Sequence, residues 1–499
     1  MCMLKVIEYG CALSNEGTWR LKAEMGYYLH TDKRLMTDVE RRTEQSPQRE
    51  LADSIAKYAP LDDLRILIAG GARPNDPVTQ GLRPLHYAVW QQYSEAVHLL
   101  LVRGCDVNAR DDCGYAPLHL AAEHGYQDIV NILLEHQSTV NFLETHEGRE
   151  FYPHVEEPLR LAIKGEHWDV ARILLEHGAN PNTRYFLGCD INLIHPQNTD
   201  FLELLIAYGA NPDSRDRGGL TPLMKACRNP KGLNTALTLI HAGADVNARA
   251  DERNDYRSVL HYAILGGNPD TVQLLLSQGA TVNPTWDSFA GTKPTALDLA
   301  ILKGDVELVR LLLKAGANVN GSSPILGSPL HIACTEHVPQ RSSIIELLLK
   351  KGADPNICVM NEESTTMLKS VMAEYLSSNV TPSSEIVGLL LRHGAKVIFK
   401  SQFRHPLGIL NSISNAFNNY EVLLQLLDAS EKFDITQMKR IRIPDEVRDF
   451  VINTATNPMS LKHGARLVIR NILGSGVLSV LPQLELPRVL HRYLCFETR

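Results

Sequence analysis

No two of the nine cysteines (Cys2, Cys11, Cys105, Cys113, Cys189, Cys227, Cys334, Cys358 and Cys495) stand in C-x-x-C spacing, so neither a zinc ribbon nor a redox dithiol is indicated. Their odd number and scatter fit thiols kept in a reducing compartment. No apolar run reaches membrane-spanning length, and the charge at Lys5 comes too early for a secretory leader. The expectation is therefore an intracellular chain, cytoplasmic with the nucleus also open to it, without a membrane partner. The sequons at Asn320 and Asn379 would then stay idle. Also missing are the P-loop, G-x-G-x-x-G, G-x-S-x-G and H-E-x-x-H signatures. Gly474-Ser-Gly476 lacks the lysine and the preceding strand of a phosphate loop and reads better as a helix-ending turn. No catalytic residue, cofactor or metal is expected.

What is present is the composition of a folded chain, 44% apolar and 21% charged, with a net charge of −7. The charge is unevenly placed. From Met438 onward ten Lys/Arg face five Asp/Glu, so the tail is positive while the rest is strongly acidic. Because those cations alternate with an apolar stripe, a helix docking on an acidic protein is expected rather than a nucleic-acid contact.

The sequence repeats itself. Variants of Leu-Leu-x-x-Gly-Ala-x-x-Asn close a unit with the glycine position at Gly71, Gly104, Gln137, Gly178, Gly209, Gly243, Gly279, Gly316, Gly352 and Gly394. Each unit opens on a form of Thr-Pro-Leu-His-x-Ala, clearest at Arg83–Ala88, Ala116–Ala121 and Ser328–Ala333. Proline in a first helical turn loses no hydrogen bond, and Ser or Thr before it can cap the helix. The leucine pair further on, as at Leu133-Leu134 or Leu312-Leu313, belongs to a second antiparallel helix that glycine ends. One helix pair cannot bury its own apolar face, so neighbouring units must stack.

This pattern resembles the ankyrin repeat. The expected fold is all-α: an ankyrin-repeat solenoid of helix-turn-helix units with projecting hairpin loops. About ten units and a degenerate eleventh (His405–Leu427) occupy residues 46–436, after an irregular lead-in at 1–45. The unit at Asn192–Gly209 is short in its first helix. His86, His119, His261 and His331 recur once per unit, roughly 10 Å apart on helix-packing distances. That is too far to share a metal, and a side-chain hydrogen bond fixing each repeat is expected instead.

Residues 437–455 read as a connecting helix and 456–499 as a separate box. Leu461, Ala465, Val468, Ile469 and Ile472 form one helical stripe, with Lys462, His463, Arg466 and Arg470 on the other faces. Ser460 starts that helix and Gly474 stops it. From residues alone this could be a cap sealing the last repeat.

The same segment is similar to a SOCS box, a small three-helix module. Ser460, Leu461, Ala465 and Ile469 match the elongin-binding pattern; Leu484, Leu486, Pro487, Leu490 and Tyr493 match the cullin-binding pattern. Ala465 stands where the family has Cys and Glu485 where it has the first proline. The whole chain thus resembles the ankyrin repeat and SOCS box family. That resemblance implies a non-catalytic substrate receptor that binds elongin C with elongin B, and cullin-5 with its RING protein, while its repeats hold an unknown substrate protein. The alternative is a non-degradative scaffold whose terminal helices only cap the stack. Exposed arginines and aromatics in hairpins and insertions (Arg110, Phe151, Tyr152, Arg215, Arg217, Arg253, Tyr256 and Trp286) are the expected substrate contacts.

Overall fold

The computed structural model describes residues 46–143, 155–185, 188–284, 293–323, 325–359, 368–433, 436, 445–457 and 460–497. The expected lead-in at 1–45 lies outside them. Two compact units divide the chain, Met1–Asn180 and Pro181–Arg499.

In the first unit, four helix pairs follow one another: α1 (Pro47–Ala56) with α2 (Leu61–Ala69), α3 (Pro84–Trp90) with α4 (Ser94–Val102), α5 (Pro117–His124) with α6 (Gln127–Glu135), and α7 (Pro158–Lys164) with α8 (Trp168–Glu176). The first helices stack in one layer and the second helices in another. Leu85, Leu118 and Leu159 are buried in one layer, and Leu100, Leu133 and Leu174 in the other. Each pair starts on proline in the first turn, where a missing N–H is harmless.

The second unit continues the theme. A short 3-10 turn at Asp190–Leu193 replaces the first helix of its opening repeat, before α9 (Thr199–Ala207). This is the unit whose sequence is short in its first helix. Then come α10 (Pro222–Arg228), α11 (Leu233–His241), α12 (Val259–Gly266), α13 (Pro269–Ser277), α14 (Ala296–Lys303), α15 (Val306–Lys314), α16 (Pro329–Ala333), α17 (Arg341–Lys350), α18 (Val371–Ser378) and α19 (Ser384–Arg392). The degenerate last repeat has a 3-10 helix at Leu410–Asn418, followed by α20 (Tyr420–Asp428).

Successive repeats are tied by a ladder of asparagines. The Asn75 amide donates to the Gly104 carbonyl (3.0 Å) and its oxygen accepts from Asp106 N–H (2.8 Å). Asn141, Asn182, Asn247, Asn283, Asn320 and Asn356 repeat the same two bonds to the next unit. The glycine whose carbonyl accepts is left-handed in each case, for instance Gly104 at φ +82 and Gly352 at +91. Gln137 occupies that position in one repeat and is held at φ +62. At the end of the array Ile398 stands where asparagine is due. There β1 (Val397–Phe399) pairs in parallel with β2 (Ser430–Phe433).

The repeat histidines act as expected from their spacing. Nδ1 of His86, His119, His261 and His331 accepts from the main-chain N–H three residues earlier, at 3.1–3.2 Å. Nε2 of His86 bonds to the Tyr115 carbonyl and that of His331 to the Lys369 carbonyl, each in the next repeat. Burial pulls their pKa values down, to about 4 for His86 and His261 and about 3 for His119.

After the array, α21 covers Asp445–Thr456, in the segment expected to connect at 437–455; residues 437–444 lie outside the described set. The tail is α22 (Leu461–Leu473), the single turn α23 (Val477–Val480) and α24 (Arg488–Leu494). Val477, Leu481, Leu494 and Cys495 form its small core.

Candidate partner-binding site

Helix α22 begins at Ser460, whose hydroxyl accepts from His463 N–H at 3.1 Å. It ends at Gly474, in a left-handed backbone at φ +58. The stripe picked out by spacing is one face, but that face points to solvent. Leu461 is 94% exposed, Ile472 78%, and Ala465, Val468 and Ile469 are exposed as well.

The buried face carries the arginines. Arg466 is 1% exposed and Arg470 7%. Arg466 Nη2 donates to the Asp428 main-chain carbonyl (2.8 Å) and pairs with its carboxylate (2.7 Å). Its guanidinium lies 4.4 Å from the Tyr493 ring centre and 4.2 Å from that of Phe496. Nε and Nη1 have no hydrogen-bond partner, so the two π faces are what replaces water for them. Arg470 donates to the Leu494 carbonyl at 2.6 Å and to the Leu391 carbonyl, and lies 4.5 Å from the Phe496 ring centre. Burial works against the Asp428 carboxylate, but the hydrogen bonds from His463 and Arg466 and the guanidinium charge outweigh it and keep its pKa below the ordinary value.

Helix α22 is therefore inverted relative to a helix that packs through its apolar stripe. Charge and π contacts anchor it to the last repeat, and the aliphatic side chains remain uncovered. The inversion was not legible from periodicity, which gives the stripe but not its direction. The signal that could have found it is the pairing of Arg466 and Arg470, one turn apart, with two aromatics near the C-terminus.

The residues matching the cullin pattern divide. Leu484, Pro487 and Leu490 are exposed, and Leu486 is partly buried against the small core. Tyr493 is 8% exposed, beneath Arg466 and with Lys462 Nζ 4.2 Å over its ring. It supports α22 from within. Glu485 is exposed.

The expected substrate contacts divide too. Arg110 donates to the Phe142 carbonyl (3.2 Å) and lies over its ring; Arg215 donates to the Arg249 carbonyl (2.7 Å). Both tie one hairpin to the next, a job that the spacing did not reveal. Arg217, Arg253 and Tyr256 are exposed, and Lys293 lies over the Tyr256 ring at 5.1 Å. Phe151, Tyr152 and Trp286 lie outside the described residues.

Among the described residues, no three His, Cys, Asp or Glu side chains group as metal ligands. No single helix there is long and apolar enough to cross a membrane.

Family profiles agree with this geometry. Ankyrin-repeat profiles match residues 54–144, 85–185, 218–251 and 260–359, and a SOCS-box profile matches 457–495. XBAT35 of Arabidopsis thaliana, which carries an E3 ubiquitin-protein ligase name, is 46% identical over 65 residues, 13% of this chain and 14% of its own length. ZDHHC13 of Danio rerio, which carries a palmitoyltransferase name, is 33% identical over 136 residues, 27% of this chain and 17% of its own. The chain thus spans less than a fifth of either relative. The crystal structure of the ankyrin repeat domain of Bcl-3 overlaps with a TM-score of 0.37 at 22% identity, covering 45% of this chain and 96% of that one.

Proposed function

The chain belongs to the ankyrin repeat and SOCS box family, and from that premise we propose that it is the substrate-recognition subunit of a cullin-RING ubiquitin ligase. In this reading it makes and breaks no bond itself. The repeats hold a substrate protein, the exposed face of α22 holds elongin C with elongin B, and the segment from Leu484 to Leu490 contacts cullin-5 with its RING protein. Ubiquitin transfer then follows from proximity, through the raised effective concentration of substrate lysines near the charged conjugating enzyme.

The observation that carries the reading is the outward stripe of α22. A helix that served only to cap the stack would turn Leu461, Val468, Ile469 and Ile472 inward, and here they are exposed. An uncovered aliphatic ridge on a well-anchored helix is suited to a partner's apolar groove. Leu461, the most exposed, is the natural anchor. Ser460 caps the helix, and Ala465 leaves room for close approach.

The test is co-purification of elongin B and C with the full chain and with the Leu461→Ala/Ile469→Ala variant. Capture by the wild type and loss by the variant, with an unchanged melting curve, is the expected result. A wild type that never captures elongin sinks the reading.

A further inference from the structure

In the first unit, the turns joining the two helices of each repeat carry a concentration of rings. Tyr58 and Tyr93 lie with ring centres 5.5 Å apart, Trp90 and His124 5.0 Å apart, and His124 and Tyr126 5.4 Å apart. Tyr58 is 56% exposed; Trp90, Tyr93, His124 and Tyr126 are half-buried, as is Trp168 in the next turn. Main-chain bonds hold the rings in place: Tyr93 Oη donates to the Ala59 carbonyl (3.1 Å), and Tyr58 Oη to the Gln91 carbonyl. The equivalent turns of the second unit have no Tyr, Trp or Phe except Phe417 and Tyr420, both in the last repeat.

Those same four turns, residues 56–63, 90–95, 123–128 and 164–169, contain seven carboxylates against two lysines. Lys164 is already paired with Glu156. Among the described residues, Asp63, Glu95, Asp128, Glu166 and Asp169 have no cationic side-chain partner. A first-turn acid is favoured by its own helix dipole, which accounts for Asp63, Glu95, Asp128 and Asp169. It does not account for Glu166, which precedes its second helix, nor for the rings in these turns.

We propose that this edge of the first unit is a recognition surface for a cationic polypeptide segment, rich in arginine or lysine. Ring faces attract a guanidinium or ammonium through their quadrupole, and carboxylates around them supply steering and hydrogen bonds. Anchored rings lose little freedom when such a segment docks. Assigning the segment to a ligase substrate rests on the function proposed above; the binding chemistry does not. The site is distinct from the hairpin arginines, which would repel such a segment.

The probe is a capped octa-arginine peptide, with octa-glutamate as its counterpart, titrated into the full chain by calorimetry and tryptophan emission. Octa-arginine should bind and octa-glutamate should not. Trp90→Leu/Tyr126→Leu, which keeps every carboxylate, should weaken binding roughly three- to thirtyfold. Tyr58→Leu, at an exposed ring, gives the same test if the double variant melts early. Glu123→Gln/Glu166→Gln should also weaken it, whereas Asp251→Asn/Glu252→Gln, which removes equal charge from the second unit, should not. Unchanged affinity in the ring variants, or equal loss in the Asp251/Glu252 control, overturns the proposal. Elongin co-purification, followed on the same proteins, reports on the receptor function separately.

Discussion

Arg466 grips Asp428 twice, through the carboxylate at 2.7 Å and the main-chain carbonyl at 2.8 Å, and so joins the terminal box to the last repeat helix. The consequences of that contact, and of several others, are open to direct measurement.

Arg466→Met should loosen the box at a cost on the order of 3 kcal/mol, because it removes one partner of a largely buried pair. Hydrogen exchange should accelerate in α22 and α24 while the repeats keep their protection. Asp428→Asn should be milder, since the carbonyl bond survives. Asp428 has a lowered folded pKa, so its contribution is complete above the ordinary value of 3.8 and is lost as pH falls through the lower folded value. Equal exchange rates in wild type and Arg466→Met would show the pair to be ornamental.

The repeat histidines should make the array acid-sensitive at a higher pH. Their folded pKa values lie below the unfolded value of 6.5, so the unfolded chain binds more protons as pH drops. Stability is full above 6.5 and should fall as pH drops from there through about 4 and on to about 3. Melting temperature against pH, with proton uptake on unfolding, reads this directly. A flat profile across that window would contradict buried neutral imidazoles.

Gln137→Gly should stabilise its repeat by about 1 kcal/mol, since a side chain there is held in left-handed backbone that glycine adopts without strain. The readout is the unfolding midpoint in urea. A lower midpoint for the variant would mean that Gln137 contributes contacts outweighing the strain.

Gly464→Ala should stabilise α22 by a similar amount, about 1 kcal/mol of helix propensity. A Cβ at Gly464 would meet nothing within 4 Å, so no clash offsets the gain. Slower amide exchange in α22 is the expected result.

Glu485→Pro should strengthen cullin-5 binding by the elongin complex, because an exposed carboxylate stands where an apolar ring matches the family pattern. Titrating both complexes against cullin-5 compares them. Equal affinities would show Glu485 to be harmless.

Much of this was legible in the sequence because repeat physics is local. Proline, histidine and glycine at fixed offsets specify the turns, caps and helix ends of each unit, and Pro84, His86 and Gly104 do what their positions foretold. The orientation of α22 was not legible. A stripe such as Leu461–Ile472 ordinarily turns inward, and the contacts that reverse it join Arg466 and Arg470 to Asp428, Leu391, Tyr493 and Phe496, distant along the chain. The hairpin arginines were opaque for the same reason: Arg110 and Arg215 are solvent-facing by pattern, yet each reaches a carbonyl about thirty residues away.

The asparagine ladder makes the run of repeats from Asn247 to Lys396 a set of modular tiles. The repeats linked through Asn247, Asn283, Asn320 and Asn356 pass on the same pair of bonds, so a duplicated copy of the unit from Asn283 to Val319 would splice in without new chemistry. Ile398 removes that connector, and the strand pair that takes over uses the backbone of a segment with no counterpart among the described residues of the other repeats. That run is thus extensible within and closed by the strand pair, which places an engineered change in its length upstream of Val397.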